Sequence, residues 1–150
     1  MPDELRLTLP DIAATQALAA RAAAMSLPGD AILLQGPLGA GKSEFARSFL
    51  RTATANPQLE VPSPSYTLVQ TYDSPLGPIH HFDLWRLDSP AALAELGWDD
   101  ATNDIVLVEW PDRLATQPEN GLRIELHPQP GESRKATLTG WPGRLHRLHP

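Results

Sequence analysis

Residues 31–43 read AILLQGPLGAGKS, a short apolar run followed by a glycine-rich loop that ends in lysine and serine. Gly36, Gly41, Lys42 and Ser43 fit the pattern G-x-x-x-x-G-K-[ST] of a phosphate-binding loop. The apolar run predicts a buried strand, and the sequence after the loop has apolar side chains at helical spacing. A strand, a glycine loop and a helix in this order are the context that the motif requires, so the segment predicts a nucleotide-binding site.

The loop suits phosphate because of its backbone and its last two side chains. Glycines let backbone N–H groups approach the phosphates closely, and the helix N-terminus adds positive potential. We expect Lys42 to reach the outer phosphates and the Ser43 hydroxyl to ligate Mg²⁺. The loop residues expected to contact the nucleotide are Gly36, Leu38, Gly39, Ala40, Gly41, Lys42, Ser43 and Glu44. The alternative is an ordinary glycine turn entering a helix, which the agreement of all four motif positions disfavours.

Length, charge and composition narrow the class of protein. The chain has 150 residues, 41% of them hydrophobic, which is enough for one core, so we expect a single domain over residues 1–150. It has no cysteine, which excludes disulfides, thiolate metal sites and a cysteine nucleophile. The net charge is -6 and only two of the 12 basic residues are lysines, which argues against a broad nucleic-acid surface. No signal sequence and no membrane-spanning apolar stretch is recognised, so we expect a cytoplasmic protein.

Hydrophobic periodicity and turn residues predict alternating strands and helices. The predicted helices cover residues 12–25, 43–55 and 90–96, the last with Ser89 as N-cap, Pro90 at its first position and Gly97 at its end. The predicted strands cover residues 5–9, 31–35, 65–72, 79–85, 104–110, 122–127 and 134–139. The sequence DSPLGP between two of the strands predicts a tight reversal and an antiparallel pair, so we expect a mixed sheet.

Two acidic residues stand where strands emerge beside the glycine loop. Asp83 follows IHHF and Glu109 follows IVLV, and the carboxyl ends of such strands line the ligand crevice of α/β sheets. A nucleotide hydrolase needs a second Mg²⁺ anchor and a group that orients or deprotonates water, and acids normally fill both positions. Either residue could instead only cap its strand. That alternative suits Glu109 less, because a carboxylate rarely closes a wholly apolar run for packing alone.

Four further features have weaker signals. The segment PSPSYT, residues 62–67, contains two prolines and three serine or threonine hydroxyl groups; it could close on a γ-phosphate, or be a plain loop entering a strand. His80 and His81 point to opposite faces of one strand, which disfavours a shared metal ion. Trp110 could stack on a base or a partner surface, or be a core residue. The tail RLHRLHP, residues 144–150, is interpreted as a frayed, solvated end in preference to a binding role for its clustered arginines and histidines.

Five motifs together resemble one family of bacterial ATPases. GPLGAGKS, SPSYTLVQTY, HHFDLWRL, ELGWDD and VLVEWPDRL occur in the order and spacing of the TsaE (YjeE) family, and the resemblance covers nearly the whole chain. It implies an α/β fold, a P-loop NTPase-like three-layer sandwich with a central mixed sheet, mainly parallel and partly antiparallel, flanked by helices. It also implies a Mg²⁺-dependent ATPase that binds ATP and ADP and is needed for threonylcarbamoylation of a tRNA adenosine. The implied partners are TsaD, the transferase, and TsaB, with tRNA involved only indirectly and no membrane.

The resemblance also assigns roles to residues. Asp83 and Glu109 occupy the family's two acidic positions at Mg²⁺, Ser43 is the third ligand, and Lys42 and the loop amides bind phosphate. Asp83 would serve chiefly Mg²⁺, and Glu109 either Mg²⁺ or the attacking water. The catalytic candidates are therefore Glu109, Asp83 and Lys42. Ser63, Ser65 and Thr67 lie in what resembles the family's mobile segment near the γ-phosphate. Asp11, Thr15 and Arg134 lie where the resemblance implies contacts to the base and ribose, and Trp110 is the remaining residue expected near the nucleotide.

The chain departs from the family pattern at a few positions. Pro37 stands where the family usually has Asp, which removes a carboxylate beside the phosphate site and stiffens the backbone. The departures at Ser43, Ser65 and Trp85 are chemically close to the family's usual residues. Pro37 is therefore the departure that bears most on nucleotide affinity.

Other functions use the same loop. A small-molecule P-loop kinase needs an acceptor pocket and usually an arginine-bearing lid, but the span between Asp83 and Glu109 contains one arginine, Arg86. A nucleotide-gated adaptor would bind nucleotide with negligible hydrolysis. A GTPase is disfavoured because the sequence has no N-K-x-D segment to read guanine. We expect weak ATPase activity of the chain alone and stimulation by partners, because no arginine finger is evident.

Overall fold

A computed structural model describes residues 3–64 and 66–150. Its strands are β1 (Glu4–Leu9), β2 (Ala31–Gln35), β3 (Val69–Tyr72), β4 (Ile79–Asp83), β5 (Ile105–Glu109), β6 (Leu122–Pro128) and β7 (Arg134–Thr139). Its helices are α1 (Ile12–Met25), α2 (Lys42–Ala53), α3 (Pro90–Glu95) and α4 (Trp98–Ala101), with short 3-10 helices at Pro111–Arg113 and Leu145–Leu148. Within those two ranges, no helix has the length and apolar character that crossing a bilayer requires.

The strands form one mixed sheet in the order β1-β7-β6-β2-β5-β4-β3. The four central strands β6, β2, β5 and β4 run parallel to one another. Antiparallel pairing of β3 with β4, of β7 with β6 and of β1 with β7 extends the sheet at both edges. Strands β2 and β5 are apolar without alternation because both of their faces are covered.

Helices cover both faces of the sheet. Helices α1 and α2 lie on one face, where Phe45 and Phe49 pack in the same core cluster as Leu34 of β2. Helices α3 and α4 lie on the other face, where Leu93 joins a second cluster with Leu33 of β2. Neighbouring residues of a strand serve opposite layers because successive side chains alternate between the two faces. The predicted α/β three-layer sandwich with a mixed sheet is thereby confirmed.

Helix ends agree closely with the local sequence signals. Helix α1 begins after Asp11, whose side chain accepts a hydrogen bond from Ala14 N at 2.9 Å. Helix α3 begins after Ser89 in the same way and has Pro90 at its first position. Gly97, in the left-handed conformation, separates α3 from α4, a short helix that the sequence did not predict. Side-chain caps act locally, which is why sequence alone finds them.

Two predicted strands, residues 65–72 and 79–85, extend two or more residues too far at one end. Strand β3 begins at Val69, and residues 66–68 form a turn in which Leu68 has a left-handed φ of 67°. Strand β4 ends at Asp83 because the Asp83 carboxylate accepts a hydrogen bond from the Trp85 backbone N–H at 3.1 Å, an Asx turn that ends the strand two residues early. Apolar alternation continued through both segments, but local backbone conformation ended the strands.

The prediction that the C-terminal tail is frayed was wrong. Leu145 and Leu148 are buried in the core against α1 and β1. Arg144 donates two hydrogen bonds of 2.8 Å to the carboxylate of Asp30 and lies over the Trp141 ring at 4.1 Å. These hydrogen bonds raise the pKa of Arg144 above its ordinary value. The prediction was based on the charged residues of the tail. The position of the tail is instead determined by its two leucines, which are spaced to lie on one helical face.

Candidate active site

The glycine-rich loop connects β2 to α2 and is packed against β6. A Cβ added to Gly36 would lie 2.7 Å from the backbone oxygen of Leu126, so only glycine fits at this position. Ala40 N donates to Pro37 O at 3.1 Å and closes a tight turn within the loop. Gly41 has a φ of 104° and, as the residue before α2, offers no side-chain acceptor to the first backbone N–H groups of this helix. An uncapped helix N-terminus of this kind favours an anion.

Lys42 brings a buried ammonium group to this loop. The residue is 6% exposed, and its Nζ donates to Gly36 O at 2.6 Å and lies 3.4 Å from the centroid of the Trp110 ring. Burial lowers the pKa of Lys42, while the nearby carboxylates of Glu109 and Asp83, together with a third at Asp112, act in the opposite direction. The ammonium is therefore desolvated and only partly compensated, which favours an additional anionic ligand.

The two predicted acids stand side by side at the end of the parallel strands. Asp83 is the last residue of β4, Glu109 is the last residue of β5, and the two are direct partners in the strand register. They are 5% and 4% exposed. Ser63 Oγ donates to Asp83 Oδ2 at 3.2 Å, so a residue of the predicted mobile segment is tied to one of the acids. The register alone brings together two carboxylates that are 26 positions apart in the sequence.

A histidine that sequence reasoning considered only for metal binding holds the second acid. His81 is 1% exposed, and its Nε2 donates to Glu109 Oε2 at 2.8 Å. Its Nδ1 has no hydrogen-bond partner within residues 3–64 and 66–150. His80 points to the other face, where it contacts Asp104 at 2.9 Å and Thr71 at 3.0 Å. The signal for His81 was its place two residues before Asp83, on the same strand face, but only the strand register shows that it reaches Glu109.

Most of the predicted residues meet in one cleft of about 360 Å³. Its lining consists of Leu38, Gly39, Gly41, Lys42, Ser43, Glu44, Arg47, Ser63, Asp83, Trp85, Glu109, Trp110 and Arg134. A wider cleft of about 590 Å³, bordered by Gly121 and Trp141, contains none of the predicted site residues. The smaller cleft, where the phosphate loop and both acids converge, is therefore the candidate site.

Several predicted residues lie outside this lining. Asp11 caps α1, and Thr15 is buried within that helix. Thr67 is exposed and accepts a hydrogen bond from Gln70 Nε2 at 3.3 Å. Ala40 is buried in the core beneath the loop, and Gly36 borders a neighbouring pocket together with Trp110. Ser65 lies outside the described residues, so its predicted role stays a prediction.

Aromatic side chains form one wall of the cleft. The Trp85 and Trp110 rings lie 4.4 Å apart between centroids, at an angle of 44°. Trp110 has a left-handed φ of 59°, a conformation that is costly for a bulky residue and turns the chain sharply after β5. Trp85 is a lining residue that the sequence analysis treated only as a departure from the family pattern. Such a pair can stack on a flat ligand or a partner side chain.

Arginines at the cleft are already engaged. Arg47 Nη1 donates to Glu44 Oε2 at 3.1 Å, and Gln16 donates to the other oxygen of Glu44 at 2.8 Å. Arg134 Nε donates to Ala40 O at 2.9 Å, across the mouth of the phosphate loop. Neither arginine lies free in the cleft, so neither resembles a mobile arginine finger.

Comparisons with known proteins identify a family to which this chain is similar. A family model for threonylcarbamoyl adenosine biosynthesis protein TsaE matches residues 9–136. The tRNA threonylcarbamoyladenosine biosynthesis protein TsaE of Bacillus subtilis is 31% identical over 141 residues, which are 89% of this chain and 84% of that protein. The protein of the same name from Rickettsia conorii is 38% identical over 115 residues, 74% of this chain but only 65% of that protein. The crystal structure of Bacillus subtilis YdiB superposes with a TM-score of 0.75 and 28% identity, over 99% of this chain and 93% of that chain.

Proposed function

We propose, because this chain belongs to the TsaE family of threonylcarbamoyl adenosine biosynthesis proteins, that it binds ATP with Mg²⁺ in the cleft and hydrolyses it to ADP and phosphate. The family membership places the chain in the synthesis of threonylcarbamoyladenosine in tRNA. The observation that carries the proposed chemistry is the pairing of Asp83 with Glu109 beside Lys42 and Ser43 in one cleft. A binding loop alone would not require two buried acids at the ends of adjacent parallel strands.

The donor set of the cleft fits a magnesium nucleotide. The hydroxyl of Ser43 and the carboxylates of Asp83 and Glu109 are hard oxygen ligands, which Mg²⁺ prefers. The uncapped N–H groups of α2 and the desolvated ammonium of Lys42 call for an anion. Three oxygen donors opposite a cationic loop match the charge distribution of a metal-bound phosphate chain.

Each side chain would have a distinct part in hydrolysis. Bound Mg²⁺-ATP would supply the transferable γ-phosphoryl group and the charge that polarises it. Lys42 would stabilise negative charge that develops on the phosphate oxygens, and Asp83 and Ser43 would anchor the metal. Glu109 would orient the attacking water or take its proton. His81 engages one oxygen of Glu109, so the plane of that carboxylate is held before any ligand arrives.

We propose that partner proteins stimulate ATP hydrolysis by this chain. In the described part of the chain, the arginines that line the cleft, Arg47 and Arg134, are bound to Glu44 and to backbone carbonyls. Turnover of the isolated chain should therefore be slow, and a heterodimer of TsaD and TsaB should accelerate it. The net charge of -6 supports a protein partner and only indirect contact with tRNA. We place the protein in the cytoplasm, where it would act on these partners.

Reconstituted tRNA modification tests this function. TsaD and TsaB are incubated with tRNA and the other substrates of the modification reaction, with and without this protein, and the modified nucleoside is measured by mass spectrometry. Modification should depend on the protein and on ATP hydrolysis, and Lys42→Ala should not restore it, whereas Lys135→Ala, a change at an exposed lysine outside the cleft, should. Undiminished modification without the protein would refute the function. Equal ATP turnover with and without TsaD and TsaB would refute the stimulation, and phosphorylation of an added metabolite would indicate a kinase.

A further inference from the structure

Arg134, the first residue of β7, reaches back to the phosphate loop. Its Nε donates to Ala40 O at 2.9 Å, and its Nη2 donates to Gly39 O at 3.3 Å. The first of these contacts spans 94 residues of sequence. The third nitrogen of the guanidinium is held as well, because Nη1 donates to Ser133 O at 2.8 Å and to Gly131 O at 3.4 Å. A guanidinium with a planar fork of donors is well suited to such multiple contacts.

The contacts of Arg134 are with the backbone carbonyls of the loop. The Ala40 carbonyl and the Gly41 N–H belong to one peptide unit, in which the two groups point in opposite directions because the unit is planar and trans. Holding the carbonyl toward Arg134 therefore holds the Gly41 N–H away from it. A Cβ on Gly41 would lie 3.5 Å from Arg134 Nε, so the side chain also packs closely over this glycine.

The loop needs this support because its glycines have wide conformational freedom. Gly39 and Gly41 both have left-handed φ values, 80° and 104°, and no side chain lies within 4 Å of where a Cβ of Gly39 would be. Ordering such residues costs more conformational entropy than ordering others. If that cost is met in the free protein, it does not have to be met when a phosphate binds.

We propose that Arg134 is a positioning residue that holds the phosphate loop in its binding conformation by fixing the carbonyls of Gly39 and Ala40. Arg134 then contributes to binding of the phosphate chain and not to recognition of the base. The proposal rests on the proposed function, since it concerns the same nucleotide. It differs from the expectation that Arg134 contacts base or ribose. Three of its nitrogen atoms are committed to backbone oxygens of this chain.

The test separates the phosphate chain from the nucleoside. Dissociation constants for Mg²⁺-ATP and for Mg²⁺-tripolyphosphate are measured by isothermal titration calorimetry for the wild type, Arg134→Gln and Arg134→Lys. Lys135→Gln removes a neighbouring exposed positive charge and serves as the control. Backbone hydrogen exchange of the loop peptide is followed in the free protein by mass spectrometry. Circular dichroism melting of each variant establishes that it is folded, and Arg134→Lys keeps the charge in case Arg134→Gln is not.

A positioning role predicts a specific combination of results. Arg134→Gln should lower the affinity for both ligands by the same factor, about tenfold. Arg134→Lys should lower it by less, because lysine keeps one charged donor group but not the planar fork of donors of a guanidinium. Exchange of the free loop should become faster in Arg134→Gln and stay unchanged in Lys135→Gln. A loss of ATP affinity alone, with unchanged tripolyphosphate affinity, would overturn the proposal in favour of a nucleoside contact. Unchanged affinity for both ligands would also overturn it.

Failure of the proposed function gives a different result. If the wild type binds neither Mg²⁺-ATP nor Mg²⁺-tripolyphosphate, nucleotide binding by this cleft is refuted. The exchange measurement still decides whether Arg134 orders the loop, because it uses the free protein. Unchanged loop exchange in Arg134→Gln would then refute the positioning role as well.

Discussion

The contact between His81 and Glu109 makes a prediction about stability that does not require any ligand. Both side chains are almost fully buried, and His81 Nε2 donates to Glu109 Oε2 at 2.8 Å. Replacing His81 with phenylalanine keeps a ring in the same space but leaves the carboxylate without this donor. Replacing Glu109 with leucine leaves the imidazole N–H without its acceptor. The double variant replaces both polar groups with apolar ones.

The magnitudes follow from the burial of each group. Loss of the hydrogen bond to the Glu109 carboxylate costs about 2 kcal/mol, and an unpaired buried N–H of His81 costs about 1 kcal/mol. The double variant loses the bond but leaves neither group unsatisfied, so its cost should be about 1 kcal/mol. The costs of the single variants sum to about 3 kcal/mol, which gives a coupling energy of about 2 kcal/mol.

Urea unfolding of the four proteins, without Mg²⁺ or nucleotide, measures this coupling. A second cycle that pairs His80→Phe with Glu109→Leu serves as the control, because His80 lies on the opposite face and contacts Asp104. The control cycle should be additive within about 0.5 kcal/mol. If the cycle of His81 with Glu109 is equally additive, the hydrogen bond does not hold the Glu109 carboxylate and the reasoning fails.

Four further predictions concern the loop, the acid and the tail. Lys42→Ala should abolish ATP binding in calorimetry, because it removes the buried ammonium of the cleft, and retained affinity would contradict its role. Glu109→Gln should bind ATP nearly as well as the wild type while phosphate release with partners falls about 100-fold or more; full hydrolysis would exclude Glu109 from the reaction. Gly36→Ala should lower the free energy of unfolding by about 2 kcal/mol or more, because the added Cβ would lie 2.7 Å from the backbone oxygen of Leu126. A decrease below about 0.5 kcal/mol in urea unfolding would show that the loop shifts to make room for the Cβ. Arg144→Met should lower the melting temperature by about 4–8 °C, because Asp30 loses two hydrogen bonds of 2.8 Å; an unchanged melting temperature would mean that the tail docks without them.

Local signals predicted much of this protein correctly. The glycine loop and the strand before it were recognised from residues 31–43, and the helix after it from the apolar spacing of residues 43–55. The caps at Asp11 and Ser89 were found because a capping side chain bonds to a backbone group only three residues away. The antiparallel pair of β3 and β4 followed from the turn residues between them. All of these signals connect residues that are neighbours in the chain.

Sequence reasoning failed where backbone geometry or distant packing overrode the local pattern. The alternation of SYTLVQTY predicted a strand from residue 65, but the left-handed conformation of Leu68 precedes the start of β3 at Val69. The C-terminal tail contains charged residues that suggest solvation, but its two leucines fill the core and Arg144 finds Asp30 more than a hundred positions earlier. No local pattern contains information about such a partner.

The amino-acid sequence by itself determined which chemical groups this protein has and where each strand presents them. It placed Lys42 and Ser43 after the glycines, and it placed Asp83 and Glu109 at the ends of apolar runs. Only the tertiary structure decided that the two acids are register partners, that His81 holds Glu109, and that Arg134 holds the loop. The physical reason is that strand periodicity is local, whereas strand order and register depend on the packing of the whole sheet. A hydrogen bond between residues far apart in sequence exists only once that packing is complete.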